Sequence, residues 1–231
     1  MSRMNAEFVT QMVDRGLLTG VKLEDIKGFA LLSAHPEYTK SRFRTILDCV
    51  YTGAQLPRGM RMFLRSIRDL KARLATYAFA SSTDYKSFYQ RLPFNFDAAV
   101  YQAVRTAIGY FIPTFGPMGH VAMCASADSL STAIAAAAIR AACADFNAKL
   151  DAAHAASTAS SGSSATPSDV KHVKESDVFF DVIIDNTLLA SNNLELLTAT
   201  HEKVIEIATW IGATVGDVSP PAQHVEHRGM V

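Results

Sequence analysis

Residues 129–155 form an alanine-rich stretch that no glycine or proline interrupts. Alanine loses no side-chain freedom in a helix, so a long helix is expected there. Mixed Leu, Ile and Met segments elsewhere repeat at helical spacing, while Gly and Pro are sparse and alternating β-branched runs are nearly absent. The expected fold class is therefore all-α. With 231 residues and 49% hydrophobic content, the chain can bury a sizeable core as one large domain or two small lobes.

Further helices are expected at residues 5–15, broken at Gly16 and Gly20, and at 23–34, stopping before Pro36. Thr39 or Ser41 would cap a helix at 42–51 that ends at Gly53, and Pro57 would open another running to about residue 80. Residues 81–95 read as a polar and aromatic connector with Tyr85, Phe88, Tyr89 and Phe94, followed by a helix at 96–111. Pro113, Gly116, Pro117 and Gly119 mark the expected lobe boundary. Residues 156–168, ASTASSGSSATPS, are of low complexity and are expected to be flexible. Helices at 177–189 and 198–211 and a tail from 217 complete the reading. The expected domains are an arm at 1–34, an N-terminal lobe at 35–116 and a C-terminal lobe at 117–231.

Charge is distributed unevenly. Nine Lys or Arg residues fall between Lys40 and Arg73, against only Asp48 and Asp69, in a chain of formal net charge zero. Arg58, Arg61, Arg65, Arg68 and Lys71 recur in steps of three and four, which a helix would turn onto one face. Met60, Phe63, Leu64, Ile67, Leu70 and Leu74 would take a neighbouring, buried face. A row of guanidinium groups suits phosphate oxygens, which Arg meets bidentately. A solvated charged face is the bland alternative. Residues 166–231 carry ten acidic and four basic residues, so the molecule is bipolar and fit to steer an anionic ligand to one lobe. The candidate nucleic-acid contacts are Arg42, Arg44, Arg58, Arg61, Arg65, Arg68, Lys71, Lys86, Arg91 and Arg105.

Enzyme signatures are missing. There is no phosphate-cradling glycine loop, no GxSxG, no HExxH and no paired CxxC, so no catalytic residue and no cofactor is expected. His224 and His227 form an HxxH in the tail without further ligands, which is too few for zinc. His120 and His201 read as backbone-bonded or capping residues. Cys49, Cys124 and Cys143 are odd in number and widely spaced, as core fillers in a reducing compartment. No run of about 18 apolar residues or signal-peptide pattern is seen, so no membrane insertion is expected. Phe8, Val9, Met12 and Val13 form an apolar patch without an evident local partner. With Leu17 and Leu18 they are the candidate self-association residues.

The order of these segments resembles the nucleoproteins of phleboviruses and tenuiviruses. FRTILDCVYTGAQLPRGMRMFLRSIRDLKARLATY, residues 43–77, is similar to the family's helix, turn, proline and basic Met-rich helix. NFDAAVYQAVRTAIGYFIPTFGP, residues 95–117, is similar to the helix that closes its N-terminal lobe. LLTATHEKVIEIATWIGATVGD, residues 196–217, is similar to its Ser-His-Glu-Lys helix, and the break at Arg15-Gly16 to its exchangeable arm. Arg58 and Arg44 match basic positions of the family. Thr52, Gly53, Leu56 and Asp97 stand where it has other residues, with Arg61, Arg65, Arg91 or Arg105 as substitutes.

The resemblance implies two helical lobes around a basic cleft that encapsidates single-stranded genomic RNA without sequence specificity. It also implies assembly through the N-terminal arm, a viral polymerase as partner, location in the virion and host cytoplasm, and no enzymatic activity. Two other readings compete. A coat protein of a rod-shaped or filamentous RNA virus would also be helical and coat RNA, and a cellular helical enzyme or adaptor would not copurify with RNA.

Overall fold

The structure, a computed structural model, describes residues 6–37, 42–48, 65–86, 88–117, 120–161 and 170–223. In chain order these form α1 (Ala6–Asp14), β1 (Leu18–Gly20), β2 (Leu31–Glu37), β3 (Arg42–Asp48), α2 (Ile67–Leu74), β4 (Phe79–Lys86) and α3 (Phe96–Ala99). They continue with β5 (Val104–Thr106), β6 (Gly109–Pro113), α4 (Val121–Ser161), β7 (Val178–Ile183), β8 (Asn186–Ser191), α5 (Leu194–Trp210) and β9 (Thr214–Ala222). The expectation of an all-α fold is overturned. The described residues hold three antiparallel sheets beside their helices, and the fold is mixed α and β.

The helices that the sequence announces most clearly do form. The alanine-rich stretch lies inside α4, which extends to Ser161 and so orders the first residues of the expected flexible insert. Residues 162–169 lie outside the described ones. The segment Ala122–Ala159 is long and apolar enough, by length and composition, to cross a membrane. Its polar groups nevertheless make protein contacts: Asn147 Nδ2 donates to the Val173 carbonyl at 3.0 Å, and Asn147 Oδ1 accepts from the Val173 N–H at 2.8 Å.

α1 ends where Gly16 adopts φ +67°, with Gly16 N–H donating to Val13 O and Leu17 N–H to Met12 O, both at 2.8 Å. α5 stops in the same way at Gly212, φ +83°, with Ala213 N–H donating to Ala208 O at 2.8 Å. Each glycine supplies the left-handed residue that lets the last carbonyls find donors.

Other expected helices are strands. Residues 23–34 give one tight turn at Leu23–Asp25 and then β2, and residues 42–51 give β3, which pairs antiparallel with β2 from Leu31↔Asp48 to Glu37↔Arg42. Residues 96–111 divide into short α3, a 3₁₀ turn at Val100–Gln102, β5 and β6. The 81–95 connector contains most of β4, residues 177–189 form the β7–β8 hairpin, and the tail opens with β9. Of the basic helix expected at 57–80, the described residues keep α2, which stops at Leu74 before β4 begins at Phe79; Ser66 caps it, its Oγ accepting from Asp69 N–H at 3.1 Å.

These elements sort into two compact units built from interleaved segments. Unit 1 comprises Met1–Met62 and Ser87–Ala127. Its sheet has the order β1–β6–β5, and its larger core joins Val9 and Met12 of α1 to Leu18, Leu47 and Val104. A second cluster holds Ala99, Val100, Ala103 and Ile112.

Unit 2 comprises Phe63–Lys86 and Asp128–Val231. Its sheet has the order β7–β8–β4–β9 with every pair antiparallel. α2 sets Leu70, fully buried, against Phe179 of β7 and Leu188 and Ala190 of β8. α5 buries Leu196, Leu197, Val204 and Ala208 and packs on β9, β4 and β8. Each such leucine stabilises the unit by about 1.5–3 kcal/mol relative to exposure.

Candidate functional site

The central strands of unit 2, β8 and β4, carry the site. β7 and β8 are joined by two residues only, Ile184 and Asp185, between the paired Ile183 and Asn186. Ile184 has φ +58°, a conformation that two-residue hairpin turns ordinarily give to glycine. A β-branched residue there is an outlier of the kind that persists only where its surroundings over-determine it.

Those surroundings are three hydrogen bonds. Ile184 N–H donates to Asp128 Oδ1 at 3.2 Å, and Ser131 Oγ donates to the Ile184 carbonyl at 2.6 Å, both from α4. Tyr85 N–H of β4 donates to the Asp185 carbonyl at 2.9 Å. A helix on one side and a strand on the other therefore fix where Asp185 stands.

Asp84 lies in β4 directly opposite Asn186, the residue after Asp185. Asn186 Nδ2 donates to Asp84 Oδ1 at 3.3 Å, joining positions 102 apart in the sequence. Asp84 and Asp185 are thus brought to one end of adjacent central strands, both half-buried. Beside them Tyr85 is buried, its hydroxyl 3.4 Å from Thr187 Oγ1, and burial raises its pKa more than the Thr187 contact lowers it. The tyrosine is held neutral as packing, and Lys86 after it is exposed.

Two carboxylates at the same end of neighbouring strands offer hard oxygen donors. Among the described residues no group of three His, Cys, Asp or Glu side chains gathers. The arrangement is thus no all-protein cage. It matches the demand of Mg²⁺, which keeps waters and is bound through one or two carboxylates plus substrate phosphates. The pair fits that ion on donor chemistry, with Asn186 as a neutral neighbour.

The described residues expected to bind nucleic acid divide between the two units. Arg65, Arg68, Lys71 and Lys86 belong to unit 2, where Arg68 and Lys71 are exposed on α2. Arg65 Nε lies 3.6 Å from Asp181 Oδ1, and its guanidinium sits 5.6 Å from the Phe179 ring centroid. Arg42, Arg44, Arg91 and Arg105 belong to unit 1, with Arg42 and Arg44 on β3, so no helix presents them, and Arg91 and Arg105 are exposed. Arg58, Arg61, His224, His227 and Cys49 lie outside the described residues.

The apolar patch of the N-terminal segment has a partner after all. Val9, Met12 and Leu18 are buried in the unit 1 core, with Phe8, Val13 and Leu17 packed against it. His120 and His201 are buried, and burial lowers the pKa of each. Cys143 is buried, and burial with the Glu175 and Asp177 charges raises its thiol pKa, as suits an inert core filler.

Asp84, Asp185, Asn186 and the Asp128–Ser131 clamp had no place among the expected site residues. The signal available was an isolated acidic residue closing a short run, small and polar in SSTDY and apolar and β-branched in VIIDN.

No protein-family model and no curated protein matches the chain. Solved structures do. The foamy viral protease–reverse transcriptase dRH in complex with dsDNA superposes with a TM-score of 0.62 at 13% identity, over 99% of this chain and 35% of that one. The native prototype foamy virus protease–reverse transcriptase gives a TM-score of 0.58 at 14% identity, over 92% and 23% of the two chains. Its selenomethionine-labelled CSH mutant gives 0.57 at 15%, with the same coverage. This chain therefore spans about a third or less of the length of those proteins. At such identities the likeness establishes the fold: the chain shares the fold of a stretch of a protease–reverse transcriptase.

Proposed function

We propose that the chain carries the nucleotidyl-transfer site of a template-directed polymerase of the reverse-transcriptase kind, with Asp84 and Asp185 as its carboxylate pair. The observation that carries this reading is the convergence of Asp84 and Asp185 at one end of β4 and β8, on a turn pinned by Asp128, Ser131 and Tyr85. The fold shared with a reverse transcriptase in complex with dsDNA supports it. So does the chemistry of the donors, which suits divalent cations that bridge substrate phosphates.

In the proposed reaction the 3′-hydroxyl oxygen of a primer forms a bond to the α-phosphorus of a nucleoside triphosphate. The bond to the β-phosphate oxygen breaks, pyrophosphate leaves and the hydroxyl proton passes to water. Divalent cations held by Asp84 and Asp185 would offset the phosphate charge and make the hydroxyl a better nucleophile. Asn186 restrains the Asp84 carboxylate through its hydrogen bond. The exposed Arg68 and Lys71 are proposed to contact the phosphates of template and primer. The RNA expected as ligand becomes the template in this account.

The nucleoprotein expectation implied two helical lobes, whereas the described residues hold three antiparallel sheets beside their helices. One experiment separates the two. An end-labelled primer on an RNA template is incubated with the chain, dNTPs and Mg²⁺ or Mn²⁺. Extension that disappears in Asp84→Ala and in Asp185→Ala supports the polymerase reading. RNA binding without extension, unchanged in both variants, supports RNA coating.

A further inference from the structure

Gly216 lies on β9, opposite the place where its pairing with β4 slips between Thr83 and Tyr85. The residue in the slip is Asp84. A Cβ added at Gly216 would stand 2.8 Å from Asp84 Oδ2, 3.3 Å from the Asp84 carbonyl oxygen and 3.4 Å from Lys86 Cβ. Real Cβ atoms essentially never approach another heavy atom closer than 3.0 Å.

Gly216 is not one of the glycines with positive φ, which are Gly16, Gly109 and Gly212. An L-residue would meet no backbone strain there, so what glycine supplies is room. Glycine inside a strand marks such close approaches, and bulges beside sites re-aim side chains. On the other side, Asn186 Nδ2 donates to Asp84 Oδ1 at 3.3 Å. The carboxylate is bracketed, with one oxygen held by an amide and the other set into the space over a bare Cα.

We infer that Gly216 is a positioning residue for Asp84: the bulge brings its Cα against the carboxylate and fixes the direction in which Asp84 offers its oxygens. This inference rests on the reading of Asp84 and Asp185 as a cation-binding pair. Groups that orient a metal-binding carboxylate typically carry about 10–100-fold in affinity.

The test is a thermodynamic cycle on the full chain with Gly216→Ala, Asp84→Ala and both together, read by Mn²⁺ titration calorimetry and by metal-free thermal unfolding. Gly216→Ala should weaken Mn²⁺ binding about tenfold. Without metal it should lower Tm in the wild-type background and less in the Asp84→Ala background, where the Cβ has room. Wild-type Mn²⁺ affinity in Gly216→Ala, or equal losses of Tm in both backgrounds, would overturn the inference. If Gly216→Ala alone does not fold, the double variant should recover the fold, and one that stays unfolded also overturns it. A wild-type chain that binds no Mn²⁺ sinks the cation reading, while the metal-free cycle still reports on Gly216 and Asp84.

Discussion

The side-chain amide of Asn186 donates to Asp84 Oδ1 at 3.3 Å across the β4–β8 pair. A neutral donor therefore sits where a third carboxylate would add to the local repulsion. Asn186→Asp should lose the hydrogen bond and set two like charges directly opposite each other. Urea unfolding without metal should show a loss of about 1–2 kcal/mol. Saturating Mg²⁺ should restore part of it, because a ligand bound only by the folded state stabilises that state. An unchanged midpoint with and without Mg²⁺ would show that the two side chains are not coupled.

The strained turn gives a pair of opposite effects. Ser131→Ala removes the 2.6 Å bond to the Ile184 carbonyl and should cost about 1–2 kcal/mol. Ile184→Gly relieves the φ of +58° and should gain about 1 kcal/mol, at the expense of a looser Asp185. Chemical denaturation of both variants checks the signs, and a destabilised Ile184→Gly would mean that side-chain packing outweighs the strain.

α5 carries a pH dependence. His201 is buried, and burial lowers its pKa below the ordinary 6.5 although the Glu202 charge pulls the other way. Below 6.5 the unfolded chain takes up a proton that the folded one resists. This contribution to stability is complete above about pH 6.5 and is lost as the pH falls toward the folded-state pKa. His120 in unit 1 shifts in the same direction, also by burial. Stability measured at pH 7.5 and at pH 5 should fall, and His201→Gln should fall less. An identical pH profile for His201→Gln would remove His201 as a cause.

Met12 separates a core role from an exchanged arm. It is buried with Val9, Leu18, Leu47 and Val104, so Met12→Ala should destabilise unit 1 by about 2–5 kcal/mol. The measurement is thermal unfolding beside a sizing column. Unchanged stability with loss of oligomers would favour self-association through this segment.

Arg68 and Lys71 are exposed on α2 and are proposed to meet phosphates. Changing both to Ala should make the slope of log K against log salt for single-stranded RNA shallower by about 1.4, at about 0.7 per phosphate contact. Fluorescence anisotropy across a salt series reads it, and an unchanged slope would place the nucleic acid elsewhere.

Part of this was legible in the sequence. α1, α4 and α5 announce themselves through apolar spacing, alanine content and the glycines at 16 and 212. The inner strands of unit 2 do not, because a strand buried on both faces loses the alternation that marks a strand. Five successive residues of β8, from Thr187 to Ser191, are buried, as are Ser81, Ser82 and Thr83 of β4. In β7, Phe179, Val182 and Ile183 also happen to repeat at helical spacing. The site itself was hidden for a topological reason. Asp84 and Asn186 stand 102 positions apart, and only the antiparallel β4–β8 register brings Asp84 to the Asp185 turn. The basic residues were visible as charge, but β3 stands where a helix was expected at 42–51, so Arg42 and Arg44 lie on a strand.

Localised cleavage by bound Fe²⁺ reads directly whether Asp84 and Asp185 hold a cation together. With ascorbate and peroxide, iron that replaces Mg²⁺ generates radicals which cut the backbone next to the ion. Cuts should cluster around residues 84 and 185, be suppressed by excess Mg²⁺ and be absent in Asp84→Ala. Cuts that fall elsewhere, or that persist unchanged in Asp84→Ala and Asp185→Ala, would contradict it.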